Sequence, residues 1–393
     1  MDPRKNPYSP GAGTPPPALA GRDVLMERVA ISLDRIRLGR SARSFILYGL
    51  RGVGKTVLLR KIRLDAESRG LISVIIEAPE ERSLPSVLSP ALRSALLHLR
   101  RKGKLQETTE RAFKALAGFV KALRIKYHDI EIGLDSESEI GLADTGDLNA
   151  DLGELLEAAG IAAKDNDTAL VLYIDELQYI PEDQLAALIG TLHSAVQKQL
   201  PITMIGAGLP QLLGKMGRAK SYSERLFEFV SVDRLDPSFA RQALIIPAKA
   251  EGVEFEEEAI NTIVKETMGY PYFLQEWGKH SWNLAASSPI SLEIAKQAST
   301  SAFSELDESF FRVRLDRLTP QEKKYMRSMA ELGAGPYSSG DIARKMGKVV
   351  SSIATIRSSL ITKGMIYSPT YGETAFTVPL FNDFLKRTMP HFQ

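Results

Sequence analysis

The 393-residue sequence contains no cysteine, which excludes disulfides and cysteine-held zinc or iron–sulfur sites. Histidine is scarce as well. His98, His128, His193, His280 and His391 are scattered, without metal-ligand spacing. No apolar run approaches the roughly 20 residues that a membrane helix needs. Residues 1–20 are rich in proline and lack the apolar core of a secretion signal, so they read as a flexible tail. The expected location is the cytoplasm.

What is present is ordinary globular composition, 44% hydrophobic and 25% charged. The length implies about two to three domains. A formal net charge of +2 decides little, but its distribution is uneven. Leu318 to Gln393 carries ten Lys/Arg against five Asp/Glu, net +5, which leaves −3 for the rest. Such a basic segment suits an anionic partner, or is simply a solvated face. Arg100 to His128 has nine basic and two acidic residues, whereas Asp129 to Glu157 has ten acidic and no basic ones. Two solvated faces folded against each other are expected there, ahead of a partner contact.

Periodicity orders the chain. A helix is expected from about Val24 to Leu38, a buried strand over Ser44–Tyr48, a helix from Lys55 to about Ser68, and a strand over Leu71–Ile76. Strand, loop, helix, strand is a βαβ unit and implies a parallel sheet. Helices are expected over Ala91–Leu99 and Ala112–Leu123, and a hairpin arm over Ile125–Leu134. Strands follow at Leu170–Ile174, Ile202–Ile205 and Phe227–Val232, with a helix at Glu182–Gln199. From Pro237 to Leu315 the pattern is helical throughout.

Gly49 to Thr56 reads G-L-R-G-V-G-K-T, two glycines bracketing four residues and then Lys and Thr, between an apolar strand and a helix. The spacing lets the backbone N–H groups of Leu50, Arg51, Gly52, Val53, Gly54, Lys55, Thr56 and Val57 wrap around phosphates at the positive end of the following helix. Lys55 would reach the β- and γ-phosphates of ATP, and the Thr56 hydroxyl would ligate Mg²⁺. Ala169 to Glu176, A-L-V-L-Y-I-D-E, is an apolar strand ending in two acids. Asp175 would hold Mg²⁺, and Glu176 would act as general base toward water.

These motifs together resemble the AAA+ and STAND superfamily of P-loop ATPases, and look like bacterial and archaeal ATPases similar to origin-recognition initiators, over Gly21 to about Pro390. The resemblance implies further roles. Gly21-Arg22-Asp23 is similar to the block that contacts adenine, which puts Arg22 at the nucleotide. Ser223 to Phe227, S-E-R-L-F, looks like the block before the last strand that holds an arginine finger, here Arg225. Gly269 to Gln275, G-Y-P-Y-F-L-Q, resembles the lid block of STAND proteins and brings in Pro271. Two departures stand out. The fourth strand ends in Gly206-Ala207-Gly208 where a polar sensor is usual, and the lid block contains no arginine. Both suit a slow nucleotide switch.

In the C-terminal segment, helices over Pro320–Glu331, Gly340–Met346 (capped by Ser339) and Val350–Lys363 precede a hairpin of Met365–Tyr367 and Thr374–Val378. Three helices and a hairpin make a winged helix-turn-helix. Its third helix would present Ser351, Ser352, Thr355, Arg357 and Ser358 to DNA, flanked by Lys345, Lys348 and Lys363. The expected fold is thus α/β. A flexible tail (1–20) precedes a P-loop NTPase core with a parallel sheet (21–236), a helical lid domain (237–317) and a C-terminal winged helix (318–393). The expected function is an ATP-binding and hydrolysing switch, exchanging ATP and ADP, that binds double-stranded DNA through the winged helix. Homo-oligomerisation through Arg225 is compatible with it. The alternative is a STAND-type signalling ATPase whose winged helix contacts a protein partner.

Overall fold

Short runs that are apolar on both faces become strands buried between helical layers. In the computed structural model, which describes residues 1–11, 13–78, 80–102, 106–130, 138–333 and 335–390, five such runs form one parallel sheet. They are β1 (Ser44–Tyr48), β2 (Ile72–Glu77), β3 (Leu170–Asp175), β4 (Ile202–Gly208) and β5 (Phe227–Ser231), in the spatial order β2-β3-β4-β1-β5. Alternate residues feed opposite layers. Phe45 and Leu47 pack with α1 (Asp23–Arg37) and α2 (Lys55–Ser68), whereas Ile46 faces the other side. That second layer holds α3 (Leu84–Lys102), α4 (Gln106–Leu123), α5 (Leu148–Asp165) and α6 (Glu182–Gln197), with the short α7 (Leu212–Ala219) and α8 (Ser223–Leu226) before β5. The register pairs Tyr48 with Gly208 and Ile174 with Gly206, so the last residues of β1, β3 and β4 emerge at one edge.

Helix α5 is absent from the sequence reading because its acidic residues mask an apolar face of Leu152, Leu155, Leu156 and Ala159. It packs on α4, and Lys114 of the basic stretch pairs with Glu139 of the acidic one at 3.4 Å. The hairpin arm expected at 125–134 falls partly on residues 131–134, outside the described ones; residues 125–130 form turns and coil. Helix α1 buries Val29, Leu33 and Ile36, leaving Val24, Ile31 and Leu38 exposed.

The helical stretch after β5 comprises α9 (Pro237–Ala250), α10 (Glu257–Thr267), α11 (Pro271–Leu284) and α12 (Leu292–Glu305), then a π-helical turn over Leu306–Phe311 and α13 (Arg312–Asp316). The last unit contains α14 (Pro320–Glu331), β6 (Tyr337–Ser338), α15 (Ser339–Lys345), α16 (Val350–Thr362), β7 (Ile366–Tyr367), β8 (Glu373–Phe376) and α17 (Phe381–Thr388). Its strands form an antiparallel sheet of order β6-β8-β7. Thr319 and Glu322 close a capping box on α14. Ser338, not Ser339, caps α15, accepting the Asp341 N–H at 3.0 Å. Strand β6 is two residues long, too short for any period to register. Phe311 of the π-helical turn stacks on Phe384 of α17 at 5.2 Å, and Arg387 grips Asp307 through two bonds of 2.6 and 2.9 Å. The helical region and the last unit are thereby riveted together.

The proline-rich tail is not free. Asn6 donates to the Lys279 carbonyl at 3.0 Å, Trp282 Nε1 donates to the Asp2 carbonyl at 3.0 Å, and Tyr8 is 3% exposed with its hydroxyl on the Leu244 carbonyl. Gly278 makes room for the Tyr8 ring, since a Cβ there would lie 2.5 Å from it. Tyr8→Ala is therefore expected to cost about 3 kcal/mol, as for a buried aromatic, read as a lower midpoint in urea denaturation. A free tail would show no change.

Candidate functional site

The loop after β1 is shaped by what cannot fit. A Cβ on Gly49 would lie 2.0 Å from the Val232 carbonyl oxygen, so only glycine can pass there. Its N–H donates to the Gly208 carbonyl at 3.2 Å. Gly52 and Gly54 adopt φ of +84° and +89°, the left-handed region that glycine enters freely. Lys55 opens α2 and curls back, donating to the carbonyls of Gly49 at 3.0 Å and Leu50 at 2.8 Å. Burial pulls its ammonium down to about 8, against the opposing pull of Glu176 and Asp175. Two carbonyl dipoles replace lost water only in part, which leaves a cation suited to an anionic ligand.

Asp175 ends β3 and accepts the Glu176 N–H at 2.8 Å and a hydrogen bond from the Thr56 hydroxyl. Burial raises its carboxyl despite those bonds. Glu176 sits at φ +51°, turning the chain sharply after the strand. One of its oxygens lies 3.7 Å from Arg51 Nη1, and the other accepts from the Gln178 amide. Arg51 also donates to the Tyr179 hydroxyl at 2.8 Å. Thr56 and Asp175 thus present paired oxygens, the hard donor set that fits Mg²⁺.

These groups open on one cleft of about 570 Å³, within the range of small-molecule sites. Residues Arg51 to Leu58, Glu77, Asp175 and Glu176 line it from the core, joined by Arg22 and Pro271. Gly49 and Leu50, expected at the ligand, lie behind the loop and act through their carbonyls on Lys55. Arg22 donates to the Asp233 carbonyl at 2.5 Å, and burial lowers its pKa. Arg225 does not reach the cleft. It is exposed on α8, and its guanidinium has no partner among the described residues, because Glu228 pairs with Arg28 at 3.0 Å instead.

Sequence reasoning missed three contributors. Arg314 enters the cleft from α13, stacked on the Phe310 ring at 3.8 Å; burial, and then the charge of Arg51, pull it down to about 10. A π-helical turn precedes it, a break in period that often marks a functional position. Tyr272 lines the cleft and donates its N–H to the Gly52 carbonyl at 3.2 Å. The tail crosses the cleft at Ser9, Gly11, Gly13, Thr14 and Pro16, with Gly13 against the Thr56 methyl. The last unit also touches the loop, where the Thr377 carbonyl accepts the Arg51 N–H at 3.1 Å.

Residues 18–205 match a family model described as an AAA ATPase domain, and residues 308–385 one described as a domain of unknown function, DUF8462. No curated protein matches the sequence. Among solved structures the chain is similar to the Walker-type ATPase PABY2304 of Pyrococcus abyssi, at 15% identity, covering 94% of this chain and 96% of that one, with a TM-score of 0.60. It is also similar to the ORC1 protein of Aeropyrum pernix in complex with DNA (16% identity, 95% and 94% covered, TM-score 0.48). A further likeness is to the RuvB Holliday junction branch migration motor of Thermotoga maritima (14%, 93% and 95%, TM-score 0.45). The domain match and the first likeness agree on a P-loop ATPase fold of AAA type. No helix among the described residues is long and apolar enough to cross a membrane.

The buried ammonium generates a test. With the folded pKa of Lys55 at about 8, below its ordinary 10.5, the folded state releases its proton first. Stability of the ligand-free protein should therefore gain a contribution as pH rises from about 8 to 10.5. Lys55→Ala should remove that contribution and leave the melting temperature near pH 7 at or above the parent's. It should also abolish the rise in melting temperature that nucleotide produces. Calorimetry of both proteins across this pH range, with and without ATP, checks each part.

Proposed function

We propose that the chain binds ATP with Mg²⁺, hydrolyses it slowly, and uses the nucleotide state to set how its lid and C-terminal winged helix rest on the core. The observation that carries this reading is one cleft in which Lys55, Thr56, Asp175 and Glu176 of the core face Arg314 of the lid. The units are the core (21–236), the lid (237–317) and the winged helix (318–393), with residues 1–20 as a strap on the lid.

Thr56 and Asp175 would hold Mg²⁺, which would neutralise phosphate charge. The amides of residues 52–57 and the Lys55 ammonium bind phosphate oxygens. Glu176 takes the proton of the attacking water. Arg22 and Pro271 border the nucleotide at the core–lid junction. Arg314 brings a second, desolvated cation to the phosphates from the lid side, so the presence of the γ-phosphate favours lid closure. Arg225, exposed and without a partner among the described residues, serves the cleft of a second copy as an arginine finger. Glu176→Gln should retain nucleotide affinity and lose turnover, and Arg314→Ala should lower turnover by about tenfold or more. Phosphate release assays paired with nucleotide titrations separate the two effects; parental turnover in Glu176→Gln would remove the hydrolytic reading.

Duplex DNA is the proposed partner of the winged helix, supported by the net +5 of residues 318–393 and by Ser351, Ser352, Thr355 and Ser358. All four are exposed on α16. Arg357, expected to face DNA, is instead spent inside the unit, on Thr374 at 3.1 Å, Ser368 at 2.7 Å and the Glu373 carbonyl at 3.0 Å. Lys363 bonds Glu322 at 2.8 Å. A second reading, an apolar protein partner, is favoured by the exposure of Val349, Val350 and Tyr371 in the same unit. Mobility shifts at two salt concentrations decide between them. On the DNA reading, Lys345→Glu with Lys348→Glu flattens the salt slope by about one unit per lost phosphate contact. Absence of binding by the parent protein leaves the protein-partner reading.

A further inference from the structure

Gln178 has no role in the site as assigned so far, yet it is 8% exposed and both ends of its side-chain amide are engaged. Its Oε1 accepts the Leu209 N–H at 3.0 Å, and its Nε2 donates to Glu176 Oε2. The orientation of the amide is forced by chemistry. The Leu209 N–H can only donate and the carboxylate can only accept, so the flipped amide would set like against like at both ends. The Gln178 main chain is held too, its carbonyl accepting from Lys215 Nζ at 2.8 Å. Gly208 allows the approach, since a Cβ there would lie 2.7 Å from Gln178 Oε1.

The Leu209 N–H and the Gly208 carbonyl belong to one peptide group. That carbonyl accepts the N–H of Gly49, first glycine of the phosphate loop, at 3.2 Å. An unbroken line of amides therefore runs from Gly49, through peptide 208–209 and the Gln178 side chain, to the carboxylate of Glu176. Each link donates in the same sense, so each polarises the next. β4 itself ends in Gly206-Ala207-Gly208 and offers no polar side chain at that end. Gln178 reaches across from the turn after β3 and supplies one.

We propose that Gln178 is a positioning residue, which fixes the Glu176 carboxylate and ties it to the first glycine of the phosphate loop. Phosphate-driven movement of that loop then reaches the base through the amide line. This role rests on the reading of Glu176 as general base. A purely structural Gln178, satisfying the buried Leu209 N–H and nothing more, would affect folding and binding without singling out turnover.

The test uses the full chain with MgATP. Gln178→Met keeps the volume and removes both hydrogen bonds. Gly208→Ala displaces the same amide from the other side and stands in if the first variant does not fold. Both are expected to lower single-turnover hydrolysis by roughly tenfold to a hundredfold, the effect of a misplaced catalytic group, while the dissociation constant for ATP stays within about threefold. Parental hydrolysis in either folded variant, or affinity and hydrolysis falling together, overturns the proposal. Glu176→Gln runs alongside. If it too hydrolyses at the parental rate, the base assignment fails and takes this role with it. If it is inactive while Gln178→Met is parental, only the role of Gln178 fails.

Discussion

The cleft depends on a point where three strands leave no space for a side chain. Gly49 passes between β4 and β5, with its N–H on the Gly208 carbonyl and its Cα against the Val232 carbonyl. That contact sets where the phosphate loop begins. The loop's carbonyls of Gly49 and Leu50 then hold Lys55. Because β4 separates β1 from β3, the same spot sets the distance between the loop and the acids that end β3. The geometry of the cleft is therefore a property of strand order before it is a property of any side chain.

Around this point the protein gathers cations in poor contact with water. Lys55, Arg22 and Arg314 are each pulled below their ordinary pKa, with burial the first cause in every case. Desolvated positive charge facing a cavity is costly without a counter-charge and valuable once an anion arrives. Arg51 is the exception, spending its guanidinium on Tyr179 and Glu176. It thereby links the loop to Glu176 on one oxygen, as Gln178 does on the other.

The units outside the core are tied both to the cleft and to one another. Tyr272 and Arg314 bring the helical region to the loop, Thr377 brings the last unit to Arg51, and Phe311, Phe384, Asp307 and Arg387 join those two units to each other. The tail, anchored by Tyr8 on α9 and α11, crosses the cleft to reach α1. A rotation of the helical region against the core would strain all of these contacts at once.

Local sequence was enough for the phosphate loop, for both acids and for strands β1 to β5, because glycine spacing, apolar runs and strand-end carboxylates are short-range patterns. The α/β class and a helical region of 237–317 followed from the same periods. The rest was decided by contacts that no local pattern encodes. Arg314 lies 259 positions after Lys55 and meets the cleft only because the chain folds back after α12. The tail reads as solvated because Tyr8 finds its cavity on α9 and α11, more than two hundred residues away in sequence. Helix α5 carries enough acid to hide the apolar face that α4 covers. Arg357 reads as a DNA contact until Ser368, Glu373 and Thr374 of the β7–β8 segment take its hydrogen-bonding capacity. In each case a side chain's chemistry was visible in the sequence, while its partner, and so its role, was set by the tertiary fold.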